Sequence, residues 1–109
     1  MTPALLDLPL PSLDVDGTPT ALAAAERAML SSIARTADGA ELRAQALVEL
    51  MALEASCGDE LAFERLRHEL TATDLPPAVE VFFRAQVAWG LVRFGRLDAA
   101  RRWLATDGR

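Results

Sequence analysis

Residues 76–104, PPAVEVFFRAQVAWGLVRFGRLDAARRWL, hold both tryptophans and three of the four phenylalanines in a chain of 109 residues. Placed on a helix at about 100° per residue, positions 77–94 present two apolar faces. One face carries Val79, Phe83, Val87, Gly90 and Phe94, and the other carries Val81, Phe82, Ala85, Ala88, Trp89 and Val92. Because apolar side chains are driven out of water, we expect neighbouring helices to cover this helix on both faces. The stretch therefore predicts a stack of helices with this one inside it.

The length and composition of the chain predict a single all-α domain. A chain of this size buries roughly two-thirds of its unfolded surface, which is enough for a core without disulfides or metals. Alanine and leucine dominate, β-branched residues are few and tyrosine is absent, so β-strands are poorly supported. Hydrophobic residues make up 51% of the chain and charged residues 25%, which is typical of a globular protein.

Hydrophobic periodicity and turn residues predict five helices. They are expected at residues 19–37, 40–57, 60–72, 77–94 and 97–106. The loops between them are short, so consecutive helices are expected to pack as antiparallel neighbours. We expect Gly39 to end the first helix in the left-handed conformation, and Asp38 with Glu41 to cap the second.

The first and last helices are predicted to pack through single apolar stripes. The stripe of the first helix consists of Leu22, Ala25, Met29 and Ile33, widened by Leu30. The stripe of the last helix consists of Leu97, Ala100 and Leu104. Because nothing in the chain is left to cover both ends of a stack, one of these helices is expected to leave apolar surface open.

Residues 1–17 differ from the rest and are predicted to form an extended arm ahead of a helical domain at 18–109. Prolines at positions 3, 9 and 11 prevent a regular helix, while Leu6, Leu8 and Leu10 recur at every second residue. Such a leucine row could bind another protein or a second copy of this chain. The alternatives are an arm packed on its own helices or a partly disordered tail.

Charge is distributed unevenly along the chain, whose net charge is −5. Residues 1–60 contain ten acidic residues and three arginines (−7), and residues 61–109 contain six acidic residues and eight arginines (+2). Arg93, Arg96, Arg101 and Arg102 cluster around the last turn and could contact phosphates or an acidic peptide, or form a solvated face. The isoelectric point near 4.7 argues against a nucleic-acid partner.

Compartment and source are inferred from composition. Cys57 is the single cysteine, so no internal disulfide can form, and one unpaired thiol is typical of a reducing compartment. The N-terminal residues lack the pattern of a signal peptide, and no apolar run has the length of a membrane span. We expect a cytoplasmic protein without a membrane partner. The absence of Lys, Asn and Tyr indicates a GC-rich and bacterial genome.

No combination of residues in the sequence predicts catalysis, a cofactor or a metal. His68 is the only histidine and lies opposite the apolar stripe of its helix, without the second histidine of a zinc helix. Cys57 closes a helix, where the helix dipole disfavours a thiolate, and is interpreted as a core residue. No glycine-rich phosphate loop is present, and no carboxylate lies in an apolar stripe where burial would tune it for acid–base chemistry. A non-enzyme is therefore expected.

The two tryptophans allow two interpretations each. Trp89 and Trp103 lie at the flanks of their helices, where an aromatic residue either fills the core or anchors a partner. For both residues the sequence leaves both interpretations undecided. Trp103 lies nearer to the end of the predicted stack.

The order of small and large residues at the end of the chain resembles that of tetratricopeptide-type repeat proteins. The matching positions are Val87, Ala88, Leu91, Gly95, Leu97, Ala100 and Leu104, preceded by Leu50, Leu53, Ala62 and Leu66 in a similar unit. Gly58 and Gly95, 37 residues apart, each separate a long helix from a shorter one. The resemblance covers residues 40–106 and, more loosely, 19–37. It implies a right-handed stack of about two and a half helical hairpins.

Such a stack implies a non-catalytic protein–protein interaction module, as an adaptor or small accessory subunit of a larger bacterial assembly. Repeat units cannot bury both faces alone, and about three are needed for stability, so we expect self-association or a stable partner. Expected partner-binding residues are Leu6, Leu8, Leu10, Trp89, Trp103, Arg93, Arg96, Arg101 and Arg102. The alternative function is a regulatory, effector-sensing helical domain of a transcription regulator.

Overall fold

The computed structural model describes residues 21–106, and this part of the chain contains five α-helices and no β-strand. The helices are α1 (Ala21–Thr36), α2 (Ala40–Cys57), α3 (Glu60–Thr71), α4 (Pro77–Arg93) and α5 (Leu97–Ala105). The predicted all-α class is confirmed, and α2 to α5 begin and end within one residue of their predicted positions. The arm at 1–17 lies outside the described residues, and the right-handed antiparallel stack stays a prediction.

Glycines end two of the helices. Gly58 follows α2 with φ 87° and Gly95 follows α4 with φ 77°, a conformation that glycine adopts without strain. The expected role of Gly39 is wrong, because this residue has φ −88° and ψ 136° and is extended. Gly39, rather than Asp38, also occupies the N-cap of α2, without a side-chain hydrogen bond to cap the helix.

The core lies where α2, α3 and α4 meet. Helix α2 contacts α1, α3 and α4, and α4 also contacts α5. The buried cluster consists of Ala44, Val48, Met51, Ala55, Phe63, Leu66, Leu70, Val79, Phe83, Val87, Leu91 and Ala100. Since α5 contributes only Ala100 to this cluster, the core is built mainly by the three middle helices.

Helices α3 and α4 approach closely at one point. The ring of Phe63, which is fully buried, lies against Gly90 so closely that a Cβ atom on Gly90 would overlap it. The same ring packs on Phe94 with centroids 5.5 Å apart. Gly90 is therefore required by the fit between two helices and not by its backbone conformation.

A part-buried ion pair ties α1 to α2. Arg27 donates from Nε to Glu54 Oε2 at 2.8 Å and from Nη2 to Glu54 Oε1 at 3.1 Å. Glu54 is only 7% exposed, so a carboxylate of α2 is buried where the sequence did not predict one. The hydrogen bond to Glu54 raises the pKa of Arg27 above its ordinary value. The pair places the first half of α1 beside the end of α2.

Candidate protein-binding surface

The second apolar face of α4 is open to water. Val81 is 71% exposed, Val92 51% and Trp89 46%, and Ala85 between them is exposed as well. The expected covering of α4 on both faces is therefore wrong in the described part of the chain. Core packing covers the face that carries Phe83 and, on the second face, reaches Phe82. The repeat interpretation therefore loses the support that a helix covered on both faces would give it.

Two leucines of α5 are exposed beside this surface. Ala100 is buried, but Leu97 is 53% and Leu104 60% exposed, so the expected packing of all three residues is wrong. On α5, Trp103 and Leu104 flank Ala100 on opposite sides, about 60° and 40° away. Trp103 lies near Arg67 of α3. Leu97 and Leu104 consequently lie on the side away from α3, as does the open face of α4.

We call this surface the α4–α5 face. Its members are Val81, Ala85, Trp89 and Val92 on α4 and Leu97 and Leu104 on α5. Val81, Ala85 and Val92 lie within about 40° of one another on the helix, so they form one stripe. Five of the nine large apolar residues exposed in residues 21–106 belong to this face. It is therefore the main concentration of open apolar surface there.

The four arginines predicted to cluster differ in whether they form ion pairs. Arg96 pairs with Glu60 of α3 at 2.7 Å, and Arg101 pairs with Asp98 at 3.5 Å on the exposed side of α5. Arg93 and Arg102 are exposed and form no ion pair within residues 21–106. Of these arginines, Arg93 follows the stripe of α4 and Arg101 adjoins the two leucines of α5, so positive charge borders the α4–α5 face.

Trp103 packs against other residues of the fold and does not belong to the α4–α5 face. Its Nε1 donates to Arg84 O at 3.0 Å, and Arg84 Nη2 donates back to Trp103 O at 2.9 Å. The guanidinium groups of Arg67 and Arg84 lie 5.7 and 5.2 Å from its ring centroid, and Phe83 meets the ring edge-on. Trp89 is exposed, so its interpretation as core filler is wrong. The assignment of either tryptophan to a partner stays a prediction.

A second, smaller apolar patch lies on α1. Leu22 is 63% and Met29 55% exposed, whereas Ile33 is half-buried and Leu30 buried, so the predicted stripe of this helix is covered only in part. The helix is instead attached through Leu30 and Arg27. The predicted binding residues Leu6, Leu8 and Leu10 lie outside the described residues.

A groove crosses α2 between α1 and α4. Its lining consists of Glu26 of α1, Glu49, Ala52, Leu53 and Ser56 of α2, and Phe82 and Gln86 of α4. The charged side chains of this lining are both acidic. The groove therefore places acidic side chains of α1 and α2 beside Phe82 and Gln86 of α4.

A recess of about 270 Å³ lies beside Trp103. It is formed by the end of α3, the loop to α4, the start of α4 and the end of α5, with Leu70, Asp74, Glu80, Phe83, Arg84 and Trp103 among its residues. Small-molecule sites usually enclose about 300–1,000 Å³, so the recess is at the lower limit for a ligand pocket.

Residues with potential catalytic chemistry are not brought together. His68 is exposed, and Cys57 is half-buried with its Sγ 3.6 Å from Arg27 Nη2. Across residues 21–106, no three His, Cys, Asp or Glu side chains form a group that could hold a metal ion. Within the same range, no helix combines the length and apolar character needed to span a membrane.

Comparison of the chain with protein-family models, curated proteins and solved structures gives no match. The resemblance to tetratricopeptide-type repeats stays a prediction.

Sequence reasoning did not assign Val81, Val92, Leu97 and Leu104 to a binding surface. It placed them in the core because their spacing is that of a buried stripe. Periodicity identifies an apolar face but does not say whether another element covers it. The signal that could have distinguished exposed from buried stripes is the number of helices. The hairpin at the end of a stack has no further helix to cover its outer side.

Proposed function

We propose that this protein is a non-catalytic protein–protein interaction module that binds another protein or a second copy of itself through the α4–α5 face. It would serve as an adaptor or small accessory subunit of a larger assembly. The observation that carries the proposal is the exposure of five large apolar residues on two adjoining helices.

Burial of this face supplies the free energy of binding. Removing apolar surface from water contributes about 25 cal/mol per Å², so contiguous exposed valine, leucine and tryptophan side chains favour association. Tryptophan is enriched among residues that dominate binding energy, and Trp89 lies at the edge of the stripe. The bordering arginines Arg93 and Arg101 would orient a partner with acidic residues.

Light scattering after size-exclusion chromatography of the full chain tests the proposal. We expect a dimer or a higher assembly, which Val92→Asp should convert to a monomer because a carboxylate would enter the buried interface. Leu61→Asp is the matched control, since Leu61 is 85% exposed on α3 and lies outside the face. A wild-type chain that stays monomeric at every concentration, with Val92→Asp indistinguishable from it, would contradict self-association.

The recess beside Trp103 supports the second candidate, a regulatory domain that senses a small effector. Its lining includes the aromatic residues Phe83 and Trp103, and its acidic groups Asp74 and Glu80 outnumber Arg84, which would suit a compact, positively charged ligand. A thermal-shift screen with nucleotides, amines and amino acids separates the two functions, because a ligand raises the melting temperature with its occupancy. Stabilisation that Trp103→Phe abolishes would favour the effector domain.

A further inference from the structure

We propose that the α4–α5 face binds residues 1–17 from a second copy of this chain. The inference rests on the proposed function, because it names the partner of the same surface. The described part of the chain starts at Ala21, the first residue of α1, and residues 1–17 ahead of it contain the leucine row of Leu6, Leu8 and Leu10.

The leucine row and the stripe of α4 match in length. In an extended segment Leu6, Leu8 and Leu10 lie on one side and span about 13 Å, at about 3.3 Å per residue. Val81 and Val92 are separated by about 16 Å along α4, at about 1.5 Å per residue. Pro9 lacks a backbone donor, so the segment is suited to binding through its side chains on a helical surface rather than to a sheet edge.

The charges of the two partners are complementary. Residues 1–20 contain three aspartates and no arginine, which gives −3. Residues 77–105 contain five arginines and two acidic residues, which gives 5 − 2 = +3, and +2 remains when Arg96 is counted with its partner Glu60 of α3. Arg93 and Arg101 border the α4–α5 face, so an acidic segment laid on the apolar stripe would place Asp7 within reach of a guanidinium group.

The route within one chain is unfavourable. Within one chain, a segment that returned from Ala21 across the groove on α2 would pass the acidic side chains that line it. The groove carries Glu26 and Glu49, and the part of the chain that would cross it carries Asp14 and Asp16. Like charges held close together repel, whereas a second copy approaches the α4–α5 face from solvent without this crossing. We therefore assign the segment to the second copy, in a reciprocal exchange with two-fold symmetry.

Disulfide trapping between full-length chains tests the contact. Cys57→Ser removes the native thiol, after which one chain carries Leu8→Cys and another, with a size tag, carries Ala85→Cys. Each chain then has one cysteine, so a disulfide between tagged and untagged chains reports contact between copies. We expect this product after mild oxidation. Ala25→Cys replaces Ala85→Cys in the matched control, because Ala25 is an exposed alanine on α1, and little product is expected there.

Dissociation of the full-length dimer gives a second measurement. Leu8→Asp should raise the dimer dissociation constant at least about tenfold, the effect of removing one buried leucine side chain. Thr2→Asp is the control for added charge and should leave the constant within about threefold, since it removes no apolar contact. Raising the salt concentration should weaken the wild-type dimer, because charge pairs at the edge of the face are screened.

Three results would overturn the inference. A dimer that Leu8→Asp leaves unchanged but Val92→Asp dissociates would show that the face binds another surface, and the proposed function would stand. A monomeric chain carrying both Leu8→Cys and Ala85→Cys that cross-links only within itself would place the segment on its own helices. Equal disulfide yields at Ala25→Cys and Ala85→Cys would show that the segment does not contact the α4–α5 face specifically.

Discussion

Val81 and Phe83 lie two residues apart on α4, yet Phe83 is 4% exposed and Val81 71% exposed. The two faces of this helix are similar in apolar content and differ in what covers them. The inner face, around Phe83 and Gly90, packs against α2 and α3. The outer face, around Val81 and Val92, is largely exposed within the described residues. The comparison teaches that a helix apolar on both sides can be core on one side and exposed on the other.

The largest expected effect comes from the inner contact between α3 and α4. Phe63→Ala should lower the free energy of unfolding by about 3–5 kcal/mol, because it leaves a cavity at a fully buried position. Leu61→Ala, two residues away on the exposed side of the same helix, should change it by less than about 0.5 kcal/mol. Urea unfolding followed by circular dichroism measures both. Similar losses for the two variants would mean that the inner and outer sides of α3 are wrongly assigned.

Arg27→Ala tests the attachment of α1, the helix with its own exposed patch. Because it leaves the buried carboxylate of Glu54 without its partner, we expect a loss of about 1–3 kcal/mol in unfolding free energy. Arg101→Ala breaks a pair in which both side chains are largely exposed and should cost less than about 0.5 kcal/mol. Equal losses in urea unfolding would show that the burial of Glu54 has no energetic consequence.

Gly90→Ala tests how tightly the inner face is packed. Alanine gains about 1 kcal/mol of helix propensity over glycine, but its Cβ would overlap the ring of Phe63, and overpacking costs about 1–3 kcal/mol. We expect a net loss of up to about 2 kcal/mol. In a Phe63→Leu background, where the ring is absent, the same substitution should become neutral or stabilising. A double-mutant cycle by thermal or urea unfolding measures this coupling. Additive effects would contradict the close contact.

The two tryptophans give the smallest expected difference. Trp103→Phe removes the hydrogen bond to Arg84 O and should cost about 1 kcal/mol of unfolding free energy. Trp89→Phe should cost less than about 0.5 kcal/mol in the monomer, measured at concentrations below dimer formation. A larger loss for Trp89→Phe would mean that the outer face of α4 is covered in the free protein.

The sequence predicted the helices well because their signals are local. The period of apolar residues, the prolines before α4 and the glycines after α2 and α4 act within a few residues of where they occur. The extended conformation of Gly39 was missed, since a glycine between two helices can end the first or begin the second. Burial of Glu54 was also missed, because its partner Arg27 lies 27 residues away in the chain.

By itself the sequence determined that this protein is all-α, where its helices lie and which of their faces are apolar. These properties follow from backbone hydrogen bonding and side-chain spacing within each helix. Only the tertiary structure decided which apolar faces became core and which stayed open, as with Phe83 and Val81 on α4. That choice depends on which helices are present to cover each face, and hydrophobic burial, being non-directional, does not encode it in any one segment.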